Sequence, residues 1–319
     1  TFPLRAFWFG GGYPTLGDPE DPTLNPLTLI TLFFGTVTGL KVIGILSMLV
    51  AGLSTYALAK YILGYTIWGA LFSGLTFGLS VFLPLRIHNG NYNDIYSSFI
   101  PLCLFLIGLA CRGRKAALLI LPFLFYTMLS NGKTIALMTI FYIGMLCILD
   151  IIPMFDTFGK SKPSYGRLDA SKEFTEKQSA KNINITPLKV FIIALIITLL
   201  VGMVRFLPAL EIINLHGGLT HIDIYLHQEW YNVYAYPFYD LCRDIIGWGN
   251  VVGVVTIGWL PVLLSLIAFI IFPRSSFLWG MNLLLFVWLI LAHYAPIDLF
   301  KLLWKLPIFN AISNPVKYF

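Results

Sequence analysis

Charge is what this sequence has least of. Of its 319 residues only 11% are Asp, Glu, Lys or Arg, while 58% are hydrophobic. A soluble domain of this length cannot hide so much apolar surface, so lipid must cover part of it. Cysteine is scarce as well. Cys103, Cys111 and Cys147 lie in apolar segments and Cys242 stands alone in a loop, a spacing that spells neither a zinc module nor a disulfide framework. The net charge of +6 comes without a basic stripe interleaved with aromatics, and cations that cluster beside apolar spans argue against a nucleic-acid partner. Gly10-Gly11-Gly12 is not followed by Lys-Ser/Thr, so it is not a phosphate loop. There is no initiator Met and no signal peptide, and Thr1 opens inside a loop-like stretch. At least one further span is therefore expected before it.

What is present is an alternation of apolar stretches and short cationic knots. Eight candidate spans stand out, at residues 42–61, 67–85, 97–111, 116–129, 135–152, 190–207, 251–272 and 277–294. The third and fourth fall short of the roughly 17 to 25 residues a spanning helix usually needs. A re-entrant hairpin there would hold Arg112, Arg114 and Lys115 near the midplane, at about 2.5–3.5 kcal/mol for each cation. Two short spans, helped by thinning and snorkelling, are the less costly reading.

Charge sets the expected orientation. With Thr1 outside, the inner side holds Lys60, the Arg112 knot, the basic segment from Lys160 to Lys181, Lys189 and Arg274. That side carries twelve cations against five acids, a net +7, and the outer side carries nine against ten, a net −1. Retention of Lys and Arg in the cytoplasm favours this arrangement over its inverse. The expected layout is one transmembrane domain: an outer loop at 1–41, spans at 42–152, a cytoplasmic loop at 153–189, and further spans and outer loops at 190–319. The cytoplasmic loop is Lys- and Ser-rich and reads as flexible. Its Asn184-Ile185-Thr186 sequon faces the cytoplasm on this topology, so it is a chance match.

The outer connections hold the groups able to do chemistry. Asp18, Glu20 and Asp21 place three carboxylates in four residues. They read either as solvated acids of a Pro-rich turn, or as a base and cation-binding group for a hydroxyl and phosphate oxygens. The apolar run at 27–34, with Pro26 before it and Gly35 after, is too short to cross and reads as an interfacial or re-entrant helix. The segment 86–94 is dense in polar groups, with Arg86, His88, Asn91 and Asp94. It is either a polar Asn-Gly turn, or a place where Arg86 holds a phosphate oxygen and His88 moves a proton. His216, His221, Asp223 and His227 form a third cluster whose spacing matches no familiar metal module, and interfacial polar residues account for it. Arg205, near the outer end of a span, and Lys317 are juxtamembrane cations. They either snorkel or meet a lipid-linked phosphate. Asn282 in the last span is expected to bond a neighbouring helix.

The order of these elements resembles a known family. An aromatic-Gly-Gly-Tyr-Pro element spans Trp8 to Pro14. Asn25-Pro26 follows, then a run ending Phe33-Phe34-Gly35, and Ala51-Gly52-Leu53 within a span. After these come Arg86-Ile87-His88, Pro101 opening a span, Leu306-Pro307, and a closing Asn314-Pro315-Val316-Lys317-Tyr318-Phe319. Along nearly the whole chain this resembles the GT-C superfamily of integral-membrane glycosyltransferases, particularly the YfhO-like membrane proteins of bacteria and archaea. The resemblance implies an all-α polytopic bundle with interfacial helices in its outer loops. It also implies transfer of a sugar from a polyprenyl-phosphate carrier to an acceptor outside the cytoplasmic membrane. Asp18, Glu20 or Asp21 would be the catalytic acid or the ligand of a divalent cation (Mg or Mn). Arg86, His88, Asn91, Asp94, Arg205 and Lys317 would hold phosphate or acceptor. Membrane lipid and the lipid-linked sugar are the implied partners; the resemblance names no protein partner. The sequence departs from the family in the missing first span, in Asn89 after His88, and in Asn314 and Lys317 where relatives often carry Arg. A transporter or lipid flippase, or a non-catalytic subunit that kept the fold, stand as alternatives. A transporter would carry ionisable groups deep in several spans and an inverted repeat; here most charges lie near span ends.

Overall fold

The computed structural model describes residues 22–80, 82–88, 90, 92–131, 133–151, 185–216, 235, 237–246 and 259–303. Every regular element among them is helical. Thr36–Ile62, Ile67–His88, Asp94–Cys111 and Thr186–Pro208 are long and apolar enough to cross a membrane. Four shorter apolar helices lie at Ala116–Leu129, Ala136–Leu149, Trp259–Ile271 and Trp279–Tyr294. Four of the eight expected spans thus fall on helices long enough to cross and four on shorter apolar helices, with residues 251–258 of the seventh outside the described residues; the described chain is all-helical, as in an all-α membrane protein.

The chain divides into two compact units, one of Thr1–Leu79 with Asn91–Leu207 and one of Ser80–Gly90 with Pro208–Phe319. In the first, α1 (Thr28–Phe34) follows a short 3-10 turn and ends at Gly35. There a φ of +74 suits glycine alone without strain. The chain then folds back on itself. A Cβ on Gly39 would lie 2.6 Å from the Thr31 Cα, so α1 lies directly on the start of α2 (Thr36–Ala57). Leu32, Phe33 and Phe34 remain exposed, as an interfacial helix requires. The break falls at Gly35 rather than at Lys41, so α2 begins six residues before the expected span start at Val42.

Beyond Ala57 the helix widens into one π turn, Leu58–Ile62. Gly64, with φ +73, reverses the chain. Thr66 caps α3 (Ile67–Gly78) by accepting the Gly69 N–H at 3.2 Å. Glycines let α2 and α3 meet backbone on backbone. A Cβ on Gly78 would stand 2.7 Å from the Gly52 Cα, and one on Gly74 2.7 Å from the Gly52 carbonyl oxygen. Small residues commonly serve this purpose between membrane helices.

A 3-10 segment, Tyr92–Phe99, runs into α5 (Ile100–Cys111), and the two together supply the 18-residue stretch Asp94–Cys111. This removes the apparent shortness of the third span. The turn at Arg112 reverses the chain into α6 (Ala116–Leu129), with Gly113 at φ +84. The Arg112 guanidinium donates to the carbonyls of Tyr61 and Ile62 at the end of α2. The α5–α6 turn therefore lies level with the far end of the apolar stretch Thr36–Ile62; α5 belongs to a stretch long enough to cross a membrane, whereas α6, with 14 residues, is one of the shorter apolar helices.

Next come α7 (Lys133–Leu149) and α8 (Thr186–His216). Phe191 of α8 meets the Phe125 ring edge-on at 6.3 Å and covers Gly144 of α7. Thr198 donates to the carbonyls of Ala194 at 2.7 Å and of Pro122 at 3.3 Å. The second bond ties α8 to the proline turn of α6. Ile107, Leu121, Phe125, Ile143 and Ala194 are fully buried at this core. Leu200, Val201 and Val204 on α8 are exposed, which suits a lipid-facing stripe.

The second unit holds α4 (Phe82–His88), α9 (Phe238–Ile246), α10 (Trp259–Ile271), α11 (Pro273–Leu291) and α12 (Leu299–Leu303). Phe269 of α10 packs against Gly280 of α11. Asn282 is buried within α11. In α9, Asp240 and Arg243 pair at 3.2 Å while Leu241 is buried and Phe238 and Tyr239 are exposed. This is a short amphipathic helix. The Asp298 carboxylate caps α12 by accepting the Lys301 N–H at 2.8 Å.

Candidate functional site

The first unit gathers its polar groups at its two ends, and the residues at each end follow the expected alternation of spans. One end holds Leu24, Asn25, Tyr96, Tyr126, Ser130 and Asn131; the other holds Tyr61, Ile62, Cys111, Arg112, Cys147 and Asp150. On the orientation expected from charge, the first end is the outer one.

At that outer end Asn25 is 3% exposed. Its amide donates to the Thr127 carbonyl and to the Ser130 hydroxyl, each at 2.8 Å. Its Oδ1 accepts the Leu27 N–H at 2.9 Å. The Tyr126 hydroxyl donates to the Leu24 carbonyl at 3.2 Å. The segment before α1 is thereby fastened across the end of α6. This uses the last turn of α6, where a helix leaves carbonyls without intrahelical partners.

Beside this clamp the Asn131 amide donates to the Tyr96 hydroxyl at 3.2 Å. Asn131 is 8% exposed, and among the described residues the other end of its amide has no hydrogen-bond partner. Exchanging the amide's oxygen and nitrogen leaves that statement intact, because one end always faces Tyr96. Ser98 Oγ is likewise buried with no hydrogen-bond partner among the described residues. Such groups are costly to leave unmatched, at about 1–3 kcal/mol each, and are therefore natural sites for a ligand's hydroxyls. Arg205, 2% exposed on α8, acts electrostatically on both Tyr96 and Tyr126. A guanidinium keeps its charge even when buried, so this end of the bundle combines neutral polar groups with the Arg205 cation and, in the 3-10 segment that carries Tyr96, the Asp94 carboxyl group.

Of the residues singled out from sequence, Arg205 and Asp94 fall in the first unit. Asp94 is partly buried in the 3-10 segment that also carries Tyr96, and its backbone carbonyl accepts the Ser97 hydroxyl at 2.8 Å. Arg86 and His88 lie on α4 in the second unit. The Arg86 guanidinium sits 5.2 Å from the centre of the Phe82 ring, one helical turn away, a cation–π arrangement. His88 is exposed. Asp18, Glu20, Asp21, Asn91 and Lys317 lie outside the described residues, as do His221, Asp223, His227 and the Asn184 sequon. Among the described residues no group of three or more His, Cys, Asp and Glu is placed to hold a metal ion. Tyr96, Asn131 and Ser98 were not singled out from sequence. Ser130-Asn131-Gly132 at the end of an apolar span was the available signal for one of them. Neither protein-family models, nor curated proteins, nor solved structures match this chain.

Proposed function

We propose that this protein is a GT-C-type glycosyltransferase, taking a sugar from a polyprenyl-phosphate-linked donor and passing it to an acceptor on the outer face of a bacterial or archaeal cytoplasmic membrane. The observation that carries the reading is a convergence. Asn25, Tyr96, Asn131 and Arg205, from four separate elements, meet at one end of an apolar helical bundle, the end that charge places outside. A polyprenyl tail lies among apolar helices, and its phosphate then sits at such an end. Arg205 stabilises the negative charge that grows on the phosphate as the glycosidic bond breaks. Tyr96 and the open end of the Asn131 amide bond sugar or acceptor hydroxyls and fix their orientation. Asp18, Glu20 or Asp21 takes the acceptor's proton. A divalent cation such as Mg or Mn, where used, would be held by those same carboxylates.

The test compares cells with and without the full-length gene. Mass spectrometry of lipid-linked sugars and of envelope glycans reads the result. Loss of one glycan modification with accumulation of its polyprenyl-phosphate donor is expected, and Arg205→Gln should reproduce most of that loss. Unchanged glycans and unchanged donor pools in the deletion strain would overturn the assignment.

A further inference from the structure

The opposite end of the first unit has another character. The end of α2 and the α5–α6 turn are locked together there by the Arg112 guanidinium, which donates to the Tyr61 carbonyl and, at 3.0 Å, to that of Ile62. Lys60 precedes Tyr61 in the same π turn. Arg114 and Lys115 complete the turn that Gly113 makes possible, and both are exposed. Two elements thus bring four cations to the point where the apolar stretches Thr36–Ile62 and Asp94–Cys111 end. Among the described residues, none of Lys60, Arg112, Arg114 and Lys115 takes part in an ion pair. The one described acid at this end, Asp150, is 2% exposed and acts on Cys111 and Cys147 inside the bundle. Like charges held together by backbone bonds, at the end of two apolar stretches, attract an anionic counter-charge.

We infer that this basic end is a docking surface for the headgroups of anionic phospholipids in the adjoining leaflet. Arg112 spends its donors on carbonyls and fixes the turn. Lys60, Arg114 and Lys115 keep theirs for phosphodiester oxygens. A zwitterionic headgroup brings its own ammonium and gains less from such a surface, so the preference is for net negative lipids. The inference concerns the end remote from Arg205 and needs no enzymatic activity, so it stands or falls independently of the proposed transfer reaction.

The test uses the full-length protein in vesicles of equal phosphatidylglycerol and phosphatidylcholine. The lipid retained by the protein after gentle delipidation is quantified by native mass spectrometry. Wild type should retain phosphatidylglycerol preferentially. The triple variant Lys60→Gln, Arg114→Gln, Lys115→Gln keeps the Arg112 clamp and should lower that preference at least about tenfold, since each basic side chain beside an anionic surface contributes about a fivefold preference. If the triple variant does not fold, Arg114→Gln and Lys115→Gln are measured singly, each with about a fivefold fall expected. Equal retention of both lipids by wild type, or an unchanged preference in the variants, would overturn the inference. Displacement of phosphatidylglycerol by millimolar inorganic phosphate at constant ionic strength would overturn it too, by assigning the surface to a free anion.

Discussion

Adding a single methyl group at Gly78 should loosen the α2–α3 hairpin. In Gly78→Ala the new Cβ would stand 2.7 Å from the Gly52 Cα, 3.0 Å from the Gly52 nitrogen and 3.2 Å from the Met48 carbonyl oxygen. Carbon atoms rest at about 3.5–4.0 Å, so the overlap with Gly52 Cα is close to 1 Å. All three obstacles are backbone, so rotamer changes cannot relieve it and the helices must part. Overpacking of this kind costs about 1–3 kcal/mol. Gly74→Ala meets the carbonyl oxygen of the same Gly52 at 2.7 Å. One separation of the helices relieves both clashes, so the double variant should be little worse than the more damaging single one, well short of additive. Gly108→Ala is the comparison. Its Cβ would approach Ile62 at 2.7 Å, but through side-chain atoms only, so it should cost less. Apparent melting temperatures of the purified full-length protein in one detergent decide the matter. If Gly78→Ala and Gly74→Ala melt with wild type, or if their effects add in full, the backbone-on-backbone contact is wrong.

Two further predictions concern the outer end. Asn25→Ala leaves the Thr127 carbonyl and the Ser130 hydroxyl without their shared buried donor. The loss should destabilise the protein by about 1–3 kcal/mol, read by thermal unfolding; an unchanged melting temperature would mean that the clamp does not form. Replacing Asp18, Glu20 and Asp21 together by Asn, Gln and Asn should abolish glycosyl transfer, read by mass spectrometry of lipid-linked sugars and envelope glycans. Retained transfer would remove the role assigned to these acids.

Much of the fold can be read from hydropathy because lipid imposes one rule on every span. An apolar run must satisfy its own backbone, and a helix does that locally. The discrepancies have local causes. Residues 92–99 mix Tyr92, Asn93 and Asp94 with Ile95, Tyr96 and Phe99, so a hydropathy window sees a loop. The 3-10 segment there nonetheless buries Ile95, Tyr96 and Phe99 and lengthens the third span. The expected span 67–85 falls within the apolar stretch Ile67–His88, in which α3 closes at Gly78 and α4 opens at Phe82. The polar end was far less legible. Asn25 and Ser130 are 105 residues apart and Tyr96 and Asn131 are 35 apart. Neutral side chains at such separations form no motif. Arg205 could be noticed alone, since a cation in a span is conspicuous, but its neighbours emerge only when the helices pack.

Everything proposed for the outer end depends on which face of the bundle meets the exterior, and substituted-cysteine labelling measures that directly. In a full-length background with Cys242 replaced by Ser, a cysteine is placed either at His88 or at Arg114, both of them exposed positions. A membrane-impermeant maleimide is then applied to intact cells and to lysed cells. The thiol at position 88 should react in intact cells, and the thiol at position 114 only after lysis. Labelling of position 114 from outside intact cells, with position 88 protected, would invert the protein and put Tyr96, Asn131 and Arg205 on the wrong side of the membrane for the chemistry assigned to them.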